Sequence, residues 1–183
     1  RDMEHYNYYI FPAARIFLER FAGLRIEYEF PAISEPTELY PNIFTDSFDE
    51  CDFAFVEALQ IFKNELLVPV MKTWYMDIFL GESGRVHYWN CDDTTGILQE
   101  DLFSVFYSRL FSLDRDIWFR TTKKDRQEVY WWDEDLMDEI EDQFNEGTYV
   151  SYAQKRFAKN NGVPNPLVGK DPFTQWLLTL DQP

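Results

Sequence analysis

Cysteine is scarce in this chain of 183 residues: only Cys51 and Cys91 occur. Two thiols make no disulfide framework, and a reducing compartment is the default for them. Histidine is equally sparse, with His5 and His87 far apart in sequence. Basic residues are few, 17 Lys and Arg against 33 Asp and Glu, for a formal net charge of −16. A nucleic-acid binder needs a basic footprint to displace counterions, so direct nucleic-acid binding is not expected. Anionic membrane surfaces are disfavoured on the same ground. No apolar run approaches the ~20 residues of a membrane-spanning helix, and Arg1 opens no signal peptide. A cytoplasmic location is therefore expected. Phosphate-binding loop patterns, nucleophile elbows, internal repeats and low-complexity tracts are all missing.

Aromatic residues, in contrast, are abundant: 17 Phe, 11 Tyr and 6 Trp make up 19% of the chain. They carry large buried areas, so a single modest domain can pack firmly, but they serve interfaces equally well. The acidic excess keeps a protein soluble and also steers a basic protein partner towards it.

The clearest local pattern runs from Pro12 to Phe30. Pro12 suits a first helical position, where its missing N–H costs nothing. Ala14, Phe17, Leu18 and Phe21 then form one apolar stripe at helical spacing. Gly23 suits a helix end. Leu24, Ile26, Tyr28 and Phe30 alternate with Arg25, Glu27 and Glu29, the period of a half-buried strand. Residues 31–46, with Pro31, Pro36 and Pro41, read as a loop. Ser47 or Asp49 is placed to cap a second helix, whose inner face is Phe55, Ala58, Leu59 and Phe62. Leu66 to Met71 reads as a strand that Pro69 confines to an edge or a bulge. Trp74 to Leu80 and Arg85 to Trp89 form a hairpin about Gly81-Glu82-Ser83-Gly84.

Further on, Cys91 to Gly96 reads as a polar loop, and Leu102, Phe103, Phe106 and Leu110 as a helix ending near Leu113. Strands are expected at 116–120 and 128–132, separated by a polar turn over 121–127. Asp133 to Glu146 contains eight acids and no base, with Leu136, Met137, Ile140 and Phe144 at helical spacing. Helices at 149–160 and 173–180 close the chain, with a loop over 161–172 between them. The order predicts an α+β fold, an antiparallel sheet with helices packed on one side.

Candidate chemistry is thin. His87, Cys91, Asp92 and Asp93 are the best grouping for a metal, but their spacing matches no standard zinc pattern. An Asx-rich turn after a strand histidine explains them as well. The carboxylate pairs Asp114/Asp116 and Asp133/Asp135 sit in such an excess of acid that no pair stands out for acid–base work. Gly81–Gly84 resembles a GxxG loop only superficially, since strands rather than helices flank it. No cofactor, metal or catalytic residue is expected. The segment 133–146 has two readings. It is a solvated helix face whose first acids, Asp133, Glu134 and Asp135, complement the helix dipole. Alternatively it is an acidic platform, flanked by Trp131 and Trp132, that meets a basic surface.

Phe17-Leu18-Glu19-Arg20-Phe21-Ala22-Gly23-Leu24 resembles the FLxxFGGL helix-to-strand junction of the SUKH superfamily (SMI1/KNR4-like), most closely its SUKH-3 group of bacterial immunity proteins. Leu67-Val68-Pro69-Val70 is similar to the family's short strand before the central hairpin. Asp77 to Tyr88, with Gly84-Arg85-Val86, is similar to its hairpin. Ala22 departs from the usual first Gly of the junction. The resemblance covers roughly residues 1–112 and implies an α+β domain entered late, without its N-terminal helix. It leaves 113–183 as a C-terminal strand-and-helix extension, packed on that domain or forming a small lobe.

The family implies no catalytic residues. It implies a non-enzymatic immunity protein that neutralises a polymorphic toxin, here a basic nuclease-type one. The complementary field would come from Asp46, Asp49, Glu50, Asp52, Asp92, Asp93, Asp133, Glu134, Asp135, Asp138, Glu139 and Asp142, with Trp131 and Trp132 alongside. The alternatives are a regulatory interaction module of eukaryotic or viral type and, third, a metal-dependent hydrolase built on His87, Cys91 and Asp93.

Overall fold

Pro12 opens the first helix, α1 (Pro12–Phe21), as its ring predicts. The computed structural model describes residues 9–22, 26–28, 37–40, 50–73, 77–92, 95–103, 126–129, 134–162 and 172–180. Ala13, Ala14, Ile16 and Phe17 are the buried residues of α1. Phe17 packs with its ring centre 4.9 Å from that of Phe21, tilted, and 5.4 Å from that of Phe103, edge to face, beyond the central strands in sequence. Gly23 lies outside the described residues.

The chain continues through β1 (Ile26–Tyr28), β2 (Thr37–Tyr40), α2 (Glu50–Lys63), β3 (Leu67–Thr73), β4 (Asp77–Gly81), β5 (Arg85–Asp92), β6 (Thr95–Leu102), β7 (Arg126–Val129), α3 (Glu134–Asn145), α4 (Tyr152–Lys159) and α5 (Pro172–Thr179). The strands form one antiparallel sheet of seven in the order β1-β2-β3-β4-β5-β6-β7. The fold is α+β. Residues beyond 112 share the sheet with those before it, because β7 pairs with β6 from Gly96↔Val129 to Gln99↔Arg126. Helix α3 packs on α2, and α5 on α1.

Three local expectations need correction. The Pro-rich loop over 31–46 contains β2, whose Thr-Glu-Leu-Tyr run pairs with both β1 and β3. The polar stretch from Cys91 to Gly96 is not an open loop. Strand β5 runs on to Asp92 and pairs Cys91↔Gly96 and Asp92↔Thr95, so the chain reverses at once into β6. Leu102 ends that strand rather than starting a helix; positions 104–110 and the strand expected at 116–120 lie outside the described residues. In β3, Pro69 marks a bulge, with the register shifting between Pro69 and Met71. The strand is internal, so the bulge rather than an edge accommodates the missing N–H.

Sheet burial is two-sided. With helices on one side only, alternate residues of β4 would face water. Instead Ile78, Phe79 and Leu80 are each at most 1% exposed, and Val86, His87, Tyr88 and Trp89 of β5 are buried as well. Both faces of the central strands are covered, which corrects the one-sided packing. Helix α2 lies on the face carrying Phe79, His87 and Trp89, with Phe55 6.3 Å from Phe79 and 5.1 Å from Trp89. Its opposite side meets the C-terminal helices: Phe53 packs at 5.1 Å on Phe144 and at 5.3 Å on Tyr149. Helix α2 is consequently buried all round from Phe53 to Gln60, while Phe62, expected inside, is half exposed. Helix α1 contacts β3 and carries α5.

Candidate functional site

Helix α3 separates its faces cleanly. Ile140 is buried, and Leu136, Met137 and Phe144 are half-buried against the core. Asp135, Asp138, Glu139 and Asp142 recur at three- and four-residue spacing and are exposed on the other side. Among the described residues no cation pairs with Asp135, Asp138 or Asp142; Glu139 accepts a hydrogen bond from Gln143 at 2.8 Å. The acidic stripe is thus a row of solvated charges on a firmly seated helix.

The other acids proposed for a partner surface divide into two groups. Glu50 and Asp52 sit on the first turn of α2, Asp92 ends β5, and Glu134 opens α3. Asp46, Asp49, Asp93, Trp131, Trp132 and Asp133 lie outside the described residues. The structure therefore brings together one helical stripe of the expected set.

His87 does not join Cys91. The two positions are four apart along β5, a separation of ~13 Å. His87 is fully buried between two carboxylates, with Nε2 3.2 Å from Glu65 Oε2 and Nδ1 3.9 Å from Glu100 Oε1. The carboxylates flank opposite ring nitrogens and share no common centre for a cation. Among the described residues no group of three or more His, Cys, Asp and Glu is placed to hold a metal. Asp93 lies outside them.

A second polar assembly, unexpected from the sequence, lies where the end of α2 meets the β4–β5 turn and α4. Glu57 occupies the middle of α2 at 1% exposure. It accepts hydrogen bonds from Gln60 Nε2 at 2.9 Å, from the Tyr152 N–H at 2.8 Å and from the Tyr149 hydroxyl. Gln60 in turn accepts the Leu67 N–H at 3.1 Å, which ties α2 to β3.

The helix ends at Asn64, which takes a left-handed φ of 52°. The Glu65 N–H reaches back to the Gln60 carbonyl at 3.2 Å, a Schellman-type closure. This turn aims Glu65 under the hairpin, where it accepts the Ser83 N–H at 2.7 Å and faces His87. Lys63 pairs with Glu100 beside it. Glu82, 5% exposed in the hairpin turn, pairs with Arg156 of α4. Tyr152 donates its hydroxyl to Asn64 Oδ1 at 3.0 Å. Helix α4 begins with a reciprocal capping box between Ser151 and Gln154.

Environment drives these acids apart. Burial pushes the Glu57 carboxyl up, against the hydrogen bonds from Tyr149, Tyr152 and Gln60 and the charge of Lys155. Burial also raises Glu82, partly opposed by Arg156 and reinforced by Glu65. Glu65 is lowered: burial acts to raise it, but His87 and the Ser83 hydrogen bonds outweigh that.

Opposite pH slopes follow from these shifts. A raised acid contributes stability that is present below its unfolded value, near 4.5, and lost as pH rises through its folded value. A lowered acid contributes stability present above that value and lost as pH falls through its folded one. On acidification from pH 7, wild type should therefore gain stability relative to Glu57→Gln and lose it relative to Glu65→Gln. Urea denaturation of the three proteins across that range measures both slopes, and slopes of the same sign would contradict the assignment.

No family model, curated protein or solved structure matches the chain. Among the described residues no helix is long and apolar enough to cross a membrane.

The buried network carried one readable signal in sequence. Glu57 is a lone acid inside the apolar run Phe53-Ala54-Phe55-Val56-Glu57-Ala58-Leu59. A carboxylate there requires several hydrogen-bond donors from elsewhere in the fold.

Proposed function

We propose that this protein is a non-catalytic protein-binding module that receives a basic partner on its acidic surface. The observation that carries this reading is the stripe Asp135, Asp138, Glu139 and Asp142, exposed along a helix whose other face is anchored in the core. Such an arrangement presents fixed negative charge at little ordering cost, and complementary fields accelerate encounter with a basic surface. The net charge of −16 extends the same field over the whole molecule.

The resemblance of the Phe17–Leu24 junction and the central hairpin to the SUKH superfamily supports a more specific form. In that form the chain is a cytoplasmic immunity protein, and the partner is a basic, nuclease-type toxin domain that it occludes.

Affinity capture from the source cells, with mass spectrometry, identifies the partner. Replacing Asp135, Asp138, Glu139 and Asp142 together by Lys should slow association by about tenfold or more and flatten its salt dependence. Unchanged kinetics would remove the α3 stripe from the interface. A basic partner without toxin activity would retain the binding module and discard the immunity role.

A further inference from the structure

Helix α4 is held to the body in an unusual way. Of its eight residues only Ala153 is buried, while Tyr152 and Phe157 pack half-buried against the core and Phe157 meets Tyr9 at 4.6 Å. Several polar attachments among the described residues add to these. Glu57 receives its first N–H, Asn64 receives the Tyr152 hydroxyl, and Arg156 reaches the Asn64 carbonyl at 3.5 Å and the Glu82 carboxylate.

Glu82 is only half used. Its Oε1 meets Arg156, while Oε2 is buried without a hydrogen-bond partner. A guanidinium presents parallel N–H donors that match both oxygens of a carboxylate at once. Arg156 meets Oε1 and leaves the second oxygen unsatisfied. Glu65 adds a further negative charge facing Glu82. Ser83 and Asn64, next to this pair, are exposed.

We propose that this recess, formed by Glu82, Glu65 and Asn64, is a guanidinium-binding site, and that Arg156 is its built-in, displaceable occupant. An arginine on a basic partner would engage both oxygens of Glu82 and release α4. The proposal rests on the reading of a basic protein partner. It adds that arginine, rather than positive charge in general, is what the partner inserts. Release of α4 and capture of the arginine are then linked, each favouring the other.

The test titrates a tetra-arginine peptide, with tetra-lysine as control, into the full chain at low salt by calorimetry. Hydrogen exchange of the α4 amides is followed in parallel. Arg156→Gln should bind tetra-arginine several-fold more tightly than wild type, because the internal competitor is gone. Adding Glu82→Gln should abolish that gain, and tetra-lysine should show none. In wild type, tetra-arginine should speed exchange in α4 and leave β4 and β5 unchanged. Where Arg156→Gln fails to fold, Arg156→Lys keeps the charge, loses the fork and should show a smaller gain of the same sign.

Equal affinity of wild type and the Arg156 variants, or a gain that survives Glu82→Gln, overturns the site. The four-lysine variant of the α3 stripe separates the two readings. Binding lost there and indifferent to Arg156 and Glu82 removes the recess and keeps the acidic stripe. Binding governed by Arg156 and Glu82 alone keeps the recess and removes the stripe.

Discussion

Gly81→Ala is expected to cost about 2–3 kcal/mol of stability, read as a shift in the urea midpoint with little change in slope. The residue has an ordinary backbone conformation, so the cost is steric. A Cβ at this position would overlap the Glu65 carboxylate, lying 2.8 Å from its Cδ, and would sit 2.9 Å from His87 Nε2. His87 is fixed inside β5 with no exposed surface. Glu65 must therefore withdraw. Withdrawal forfeits the Ser83 N–H bond and the contact with His87, and leaves an imidazole buried with one carboxylate neighbour instead of two. A double-mutant cycle checks the route. In a Glu65→Ala background the alanine at 81 should cost less than half as much. An undiminished cost there would place the strain elsewhere.

The second large effect concerns Glu57. Glu57→Ala should destabilise the protein by about 3–4 kcal/mol, because it strands three donors in the interior as well as opening a cavity. The Gln60 amide loses the acceptor at 2.9 Å and the Tyr152 N–H loses the one at 2.8 Å. The Tyr149 hydroxyl loses its acceptor too, although its residue is only half-buried. The damage should be localised in part, since Glu57 is what joins α2 to the start of α4. Amide exchange in α4 should rise more than in β4 or β5. Glu57→Gln is the milder companion: it keeps one acceptor oxygen and removes the cost of burying a charge. An alanine variant as stable as the glutamine one would mean that Glu57 fills space rather than satisfying donors.

Periodicity found the elements whose two sides face different media. Helices α1 and α3 each have one wet face and one dry one, so their apolar residues recur at a readable interval, while the central hairpin, buried on both faces, is marked by its Gly-bounded turn. Helix α2 defeats that logic. It is enclosed by the sheet through Phe55 and by the C-terminal helices through Phe53, so it has no solvent face from Phe53 to Gln60. Its polar members Glu57 and Gln60 then look like surface residues although both are buried. Strand β2 and the start of β6 were missed for another reason. Prolines around Thr37–Tyr40 and the Asx cluster at Cys91–Thr95 are strong local turn signals, and sheet pairing on both flanks overrides local preference.

The acidic stripe of α3 was legible because charge needs no tertiary context to be seen. The Glu82–Arg156 recess was not. Its two members are 74 positions apart in the chain, and nothing in either neighbourhood marks them as partners. Only the return of α4 over the hairpin turn joins them.

The strict order of the sheet bears on how the protein is made. Each strand pairs with the one synthesised just before it, and the ladders close short loops except across residues 41–66, which hold α2, and 103–125. Such a sheet can grow from one edge as the chain emerges, and β6 waits for its outer neighbour across residues 103–125. Until β7 arrives, the outer edge of β6 stands open, in the interval when a nascent chain is most prone to pair with another. The acidic surplus then has a second use: it keeps unfinished copies apart.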